Sequence, residues 1–343
     1  MKQLLNTLYV TTNGAYLTRQ RESVCVRVDR EVKGQFPIHL LDSIVCLGGV
    51  GVSPKVLELC GQSGVQLALL TTGGRFIARM HGPTSGNVLL RRAQYRLADD
   101  ATRAAAIAQA VVVGKVANAR HVLMRGAREH AAEESSDILR KAGNRLSETL
   151  QTLQKPLSLD SVRGHEGEAA ATYFGVFDHL ITAQKDAFQF VKRSRRPPLD
   201  RANALLSFIY TLLRHDCVGA AESVGLDPAV GYLHRDRPGR PGLALDLMEE
   251  LRPVLADRLV LSLINRRQVD GDGFQSMESG AVFMDDATRK TVLVAYQTRK
   301  QETIRHPFID EDVSLGLLPH VQALLLSRHL RGDLDGYPPF LWK

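Results

Sequence analysis

Through about residue 80 the apolar positions follow a period of two, as in Leu8-Tyr9-Val10, Val24-Cys25-Val26-Arg27-Val28 and Val65-Gln66-Leu67-Ala68-Leu69-Leu70. Alternation sends successive side chains to opposite faces of a strand, so these segments predict short β-strands. Asn13-Gly14 and Gly73-Gly74 lie between them. Such dipeptides supply the positive φ angles of tight hairpins, so antiparallel pairing is expected. Ser53-Pro54, a good cap and first helical position ahead of Val56, Leu57, Leu59 and Cys60, predicts one short helix within this set. The expected N-terminal unit is a small β-sandwich or bent sheet. At His81-Gly82-Pro83-Thr84-Ser85-Gly86 the composition changes, which makes this stretch the best boundary candidate and divides the chain into 1–85 and 86–343. Helical periodicity follows: one or two long helices from Asn87 to about Arg125, then helices near 133–153, 166–191, 201–216, 243–265, 286–305 and 312–330. The whole reads as an α+β protein, a small β-domain followed by a larger all-helical one.

A length of 343 residues exceeds what one hydrophobic core usually organises, in keeping with two domains. The apolar fraction of 44% contains no uninterrupted run of about 18 residues, so a soluble rather than a membrane protein is expected. The start, Met1-Lys2-Gln3-Leu4-Leu5-Asn6, has no sustained apolar region of the secretory kind, so a cytoplasmic location is expected. Cys25, Cys46, Cys60 and Cys217 form no C-x-x-C pair, which disfavours a zinc ribbon or a disulfide framework and predicts buried small hydrophobes. The formal charge of +7 suits an anionic partner such as nucleic acid.

Three segments carry candidate chemistry. Glu166 opens Glu-Gly-Glu-Ala-Ala-Ala-Thr-Tyr-Phe-Gly-Val-Phe, where Ala169, Ala170, Tyr173, Phe174 and Phe177 share its helical face. A carboxylate on an apolar stripe needs a proton, a cation or a metal; a capping carboxylate in the first turn is the alternative. In Leu243-Ala-Leu-Asp246-Leu-Met-Glu249-Glu250-Leu-Arg252-Pro253, Asp246 and Glu249 share one face and repel unless positive charge lies beside them. A divalent cation or Arg252 would serve. Pro253 offers no N–H to the carbonyl of Glu249, so the helix is expected to kink or loosen there. His234 precedes a loop, Arg235-Asp-Arg237-Pro-Gly-Arg240-Pro-Gly242, that cannot continue a helix and can fold the imidazole toward the two acids. One histidine with two or three carboxylates is mixed nitrogen and oxygen ligation compatible with Mg²⁺ or Mn²⁺.

Together these motifs resemble the CRISPR-associated adaptation endonuclease/integrase family, the larger subunit of the spacer-acquisition complex. Gly164-His-Glu166-Gly-Glu-Ala-Ala-Ala-Thr-Tyr-Phe174 is similar to its first acidic motif, Pro228-Ala-Val-Gly-Tyr-Leu-His234 to its histidine motif, and Leu243 through Pro253 to its second acidic motif. Asn203-Ala-Leu-Leu-Ser-Phe-Ile-Tyr210 resembles its packing helix. The resemblance spans the chain and implies an N-terminal β-domain joined to a helical catalytic domain. It further implies that Glu166, His234 and Glu249 are catalytic metal ligands, with Asp246 as a supporting carboxylate. Many relatives have Asp where Glu249 stands. The implied reaction is phosphoryl transfer, in which the 3′-hydroxyl ends of a double-stranded spacer fragment attack CRISPR repeat DNA with Mg²⁺ or Mn²⁺. The implied partners are a second copy, joined through the β-domains into a homodimer, and a small ferredoxin-like adaptation subunit.

Lys192-Arg193-Ser-Arg195-Arg196, expected to be exposed, and Arg235, Arg237 and Arg240 are candidate DNA contacts, and Arg289, Lys290, Arg299 and Lys300 are weaker ones. Two other features read as structural. Asp270-Gly-Asp-Gly resembles the opening of a calcium loop but lacks its later ligands and predicts a turn, and Tyr337-Pro-Pro-Phe-Leu-Trp342 predicts an aromatic tail packed on its own domain. A stand-alone metal nuclease acting on branched or single-stranded DNA, and a non-catalytic DNA-binding architectural protein, are the competing readings.

Overall fold

The computed structural model describes residues 7–41, 43–72, 76–80, 88–129 and 133–342. Gly73-Gly74 and the candidate boundary 81–86 lie outside the described residues. The N-terminal elements are β1 (Thr7–Val10), β2 (Tyr16–Gln20), β3 (Ser23–Val28), β4 (Glu31–Pro37), β5 (Ser43–Leu47), β6 (Gly51–Val52), α1 (Pro54–Ser63), β7 (Gln66–Leu70) and β8 (Phe76–Arg79). They form two four-stranded sheets, ordered β1-β5-β7-β8 and β4-β3-β2-β6. The β2-β3-β4 meander and the β7-β8 pair are antiparallel, as expected. By contrast, β1 with β5, β5 with β7, and β2 with β6 are parallel. For β5 and β7 the reason is α1: a helical crossover returns the chain to the sheet in the same direction, which a tight turn cannot do; for the other two pairs the chain passes through the opposite sheet in between. Asn13-Gly14 is also not a hairpin tip. Gly14 does take a positive φ of 76°, but the turn passes the chain from one sheet to the other.

The pleat of β5 explains how this unit is attached. Ile44 and Cys46 point with Leu17, Val24, Leu67 and the α1 residues Val56 and Leu59 into a local core. Val45 and Leu47 face the other way and, with Leu70, join the large core of the helical part. A strand covered on both faces reads as a continuous apolar run, which is why Ile44-Val45-Cys46-Leu47 shows no polar alternation.

The second part contains α2 (Val88–Asp99), α3 (Ala101–Glu129), α4 (Glu133–Thr152), α5 (Leu159–Gly175), α6 (Arg201–Ser223), α7 (Gly242–Leu251), α8 (Arg258–Asn265), α9 (Asp286–Gln301) and α10 (Leu318–Arg331). Two short antiparallel pairs interrupt the helices: β9 (Phe274–Ser276) with β10 (Val282–Met284), and β11 (Thr303–Arg305) with β12 (Asp312–Ser314). The long α3 packs on α4, α5 and α7 and carries a buried stripe that includes Ala108, Val112, Val116 and Leu123. The helix expected over 166–191 is displaced. It runs from Leu159 to Gly175, and beyond a single 3-10 turn at Phe177–Leu180 the chain is irregular, because side chains take the backbone partners there: Asp178 Oδ1 accepts from Phe190 N at 2.9 Å, and Gln184 Nε2 donates to Ile264 O and Val269 O. Between α7 and α8 the chain widens into a π-helical segment, Arg252–Asp257, at the place where Pro253 withholds its N–H. No helix among the described residues is long and apolar enough to cross a membrane.

All four cysteines are buried thiols. Asp270 accepts from Asp272 N and Gly273 N, the expected turn. The tail is packed as expected: Phe340 is buried, Trp342 N donates to Asn118 Oδ1 at 2.7 Å, and the Arg258 guanidinium lies 4.2 Å over the Trp342 ring.

Candidate active site

Three segments distant in sequence meet at one cavity of about 670 Å³. Helix α5 brings Glu166. Its N-cap is Ser158, whose hydroxyl accepts from Ser161 N, so Glu166 sits in the helix body and not in a first turn. The capping alternative for this carboxylate therefore falls. Ala169 and Tyr173 on its face are buried, as the apolar stripe implies. Helix α7 brings Glu249, whose side chain is only 2% exposed, and the preceding loop brings His234.

The loop is held to α7 by Asp246. Its Oδ2 accepts from Tyr232 N at 2.6 Å and Leu233 N at 3.0 Å; its Oδ1 accepts from His234 N at 3.0 Å and meets His234 Nδ1 at 2.7 Å. Four donors use this buried carboxylate fully, which makes it a support for the imidazole. The contact of Nδ1 with Asp246 leaves Nε2 as the ring nitrogen toward the acids, 3.7 Å from Glu249 Oε1. Close approach makes this possible: a Cβ on Gly231 would come within 2.7 Å of Asp246 Oδ2. Further along, Gln94 Nε2 donates to Asp227 O and Val230 O, and Arg163 Nε to Leu233 O at 2.7 Å.

Positive charge surrounds the acids. Lys115 of α3, its side chain 12% exposed, bridges Glu166 Oε1 and Glu249 Oε2, the latter at 2.7 Å. Arg252 Nη1 lies 2.5 Å from Glu249 Oε1, as the alternative to a cation anticipated. Burial alone would push the Glu249 carboxyl up, but Arg252, Lys115 and His234 outweigh it and hold it at about 2. Among the described residues no three His, Cys, Asp or Glu side chains stand as a ready-made metal cage; the Lys115 ammonium lies between the acids instead. Lys115 was missed as a site residue. Its signal was present, a lone ammonium within the apolar run Val111-Val-Val-Gly-Lys-Val116.

Arg235, Arg237 and Arg240 line the same cavity, with Arg235 Nη2 3.0 Å from the exposed Asp160. Lys192 and Arg195 line it too, and Arg196 is exposed nearby. Arg193 departs from the exposed cluster expected there. It turns inward, donating to Asn203 Oδ1 at 2.6 Å and to Ser207 Oγ, with its guanidinium 5.2 Å over the Tyr210 ring. The late-helix candidates are also mostly structural. Arg289 is buried against Asp286 and Met284 O, Lys300 pairs with Asp216 at 3.0 Å, and Arg299 pairs with Glu302, which leaves Lys290 exposed. A helix packed on two sides internalises such residues.

The relatives define a class of enzyme, the endonucleases of CRISPR systems. "CRISPR-associated endonuclease Cas1 1" of Chlorobaculum tepidum is 53% identical over 343 residues, all of both chains. "CRISPR-associated endonuclease Cas1 2" of Rhodospirillum rubrum is 53% identical over 347 aligned positions, again all of both. The family model described as CRISPR associated protein Cas1 matches residues 8–298, and the chain belongs to that family. The fold agrees. A CAS1 protein from Thermotoga maritima superposes with a TM-score of 0.80 at 23% identity, over 95% of this chain and 97% of that one. A casposase bound to integration product superposes at 0.83 and 20% identity, over 98% and 94%.

Proposed function

We propose that this chain is a CRISPR adaptation integrase, which joins the 3′-hydroxyl ends of a spacer DNA fragment into the CRISPR repeat. One observation supports this above the others: Glu166 and Glu249, from two segments, share one ammonium, and His234 from a third lies 3.7 Å from Glu249, in a cavity rimmed by arginines and lysines. That donor set fits a divalent cation. It offers two carboxylates, one of them buried, and an imidazole whose Nε2 is kept free by Asp246, and it already draws an ammonium between the acids. Glu166, His234 and Glu249 would hold Mg²⁺ or Mn²⁺, and when bound the ion offsets charge on the attacking and leaving oxygens of a phosphate. The chain's own groups do the rest. Asp246 sets the His234 tautomer, Arg252 keeps Glu249 ionised, and Arg235, Arg237, Arg240, Lys192 and Arg195 hold phosphates beside the site.

The domain reading follows the same lines. Residues 1–85 serve dimerisation and 86–343 catalysis. Residues of both N-terminal sheets share one apolar cluster, in keeping with a small sandwich, and Tyr16, Val32, Leu40, Phe76 and Ile77 are exposed apolar side chains suited to a self-association surface. A small adaptation subunit is the second partner: a chain of a "Cas6-RT-Cas1--Cas2 complex" superposes with a TM-score of 0.84 at 20% identity, over all of this chain and 36% of that one.

Strand joining of a labelled DNA fragment into repeat-containing plasmid, with partner subunit and Mn²⁺, tests the proposal. Glu166→Ala, His234→Ala and Glu249→Ala should each lower the rate on the order of a hundredfold or more without unfolding the chain. Near-native rates in all three would overturn the assignment. Cutting without joining would favour a stand-alone nuclease, and DNA binding without either reaction an architectural role.

A further inference from the structure

Lys115 has no part in the motifs, yet its ammonium is the group that both acidic ligand candidates share. It reaches Glu166 from one side and Glu249 Oε2, at 2.7 Å, from the other. Arg252 is differently placed. It takes the opposite oxygen, Glu249 Oε1, and is pinned with its guanidinium 5.0 Å over the Tyr210 ring. A divalent ion held by Glu166 and Glu249 would need the oxygens and the space that the ammonium holds, and two cations at contact distance repel strongly in a part-buried site. One must leave. Lys115 can, because its stem is long and flexible and it already lines the open cavity that the arginine loop borders.

We propose that Lys115 is a built-in placeholder for the metal. It pairs the two carboxylates while the site is empty of metal, gives way when a divalent ion binds, and turns its ammonium into the cavity to meet a DNA phosphate. This rests on the reading of Glu166, His234 and Glu249 as the metal site. The placeholder solves a definite problem: two acids facing each other without a cation would repel and open the α3–α5–α7 packing, whereas a tethered ammonium keeps them in register. Lys115 is accordingly a positioning residue for the empty site and a phosphate contact in the loaded one.

Two measurements on the full-length protein test this without relying on activity. In calorimetric titration with MnCl₂ alone, Lys115→Met should bind at least about tenfold more tightly than the native chain, as loss of a competing charge a few ångströms away implies. Its metal-free melting temperature should fall, and Mn²⁺ should restore it. Lys115→Gln, which keeps a polar end, guards against a packing defect and should show the same tighter binding. In acetic anhydride labelling read by mass spectrometry, Lys115 should be protected without metal, modified after Mn²⁺ is added, and protected again when a DNA duplex follows. Mn²⁺ binding that is unchanged or weaker in both variants, or labelling that Mn²⁺ does not alter, would overturn the placeholder. Failure of DNA to restore protection would overturn the phosphate contact. Glu166→Ala and Glu249→Ala separate the two ideas. If both bind Mn²⁺ as the native chain does, the metal site itself is misassigned; if both lose it while Lys115→Met gains nothing, only the placeholder fails.

Discussion

Asp246 shows how one side chain connects a loop to a reaction. Its two oxygens take three backbone N–H groups and the His234 imidazole, so the path of residues 232–234 and the histidine tautomer depend on the same carboxylate. Asp246→Asn keeps the shape but replaces two acceptor lone-pair sites with N–H donors that face other donors. If His234 is the metal ligand proposed, strand joining should fall about ten- to a hundredfold, the usual cost of losing a partner that orients such a histidine, while the melting temperature drops by only a few degrees. A variant with native joining rates would mean that the loop holds His234 without help. At this scale the sequence was informative about type and face. Glu166 on an apolar stripe, Asp246 and Glu249 on one helical face, and Arg252 beside them are all placed as spacing implies. It marked Lys115 only as an ammonium in an apolar run, without its partners, and misplaced Arg193 at the surface, because which long basic side chain turns inward is decided by partners from other segments.

Among the elements, α7 carries two adjacent acids with opposite duties. Glu249 faces the site, and Glu250 faces away, where Gln322 Nε2, Tyr337 OH and Phe340 N donate to it. Burial, the dominant influence, pushes Glu250 up to about 7 despite those donors. An acid whose folded value exceeds its unfolded one binds more protons when folded, so its contribution to stability is present below about 4.5 and is lost as pH rises through about 7. Glu250→Gln should remove that dependence. Between pH 5 and pH 8 the variant should gain on the order of 3 kcal/mol relative to the native chain, read from paired denaturant melts. An equal response of the two proteins to pH would show that Glu250 stays ionised. Element positions were legible wherever caps and periods were local, as for α1 and α6. They failed where a non-local partner decided, as in the parallel pairing through α1 and the irregular 181–199 stretch.

Taken whole, the molecule has a basic cavity at its proposed site and a β-unit fastened by Val45, Leu47 and Leu70 to the helical core. The chain's fold class was visible from the change of period near residue 80, but this fastening was not, since it depends on which face of β5 meets the helices. If Arg235, Arg237 and Arg240 hold DNA backbone, replacing all three with Ala should weaken binding on unrelated sequences alike. It should also lower the slope of log affinity against log salt by up to about three. The part played by Arg235 should be the smallest, because it must give up Asp160 first. Fluorescence anisotropy across a salt series checks this; an unchanged slope would reduce the loop to solvated surface.

The wide turn after Glu249 also bears on insertions and deletions. Residues 253–257 are all buried, and Asp257 at the end of the segment accepts from Tyr210 OH at 2.7 Å. A π-helical turn accommodates one more residue than the α-turn it replaces, so loss of a single residue here would leave a regular helix with the later side chains on much the same faces. Asp257 would keep its place beside Tyr210, whose ring supports Arg252, and the apolar face of α8 would stay in the core. A one-residue deletion that would turn every later side chain by about 100° in a regular helix is absorbed in this short stretch, which gives the chain after Glu249 one place to lose a residue without losing its register.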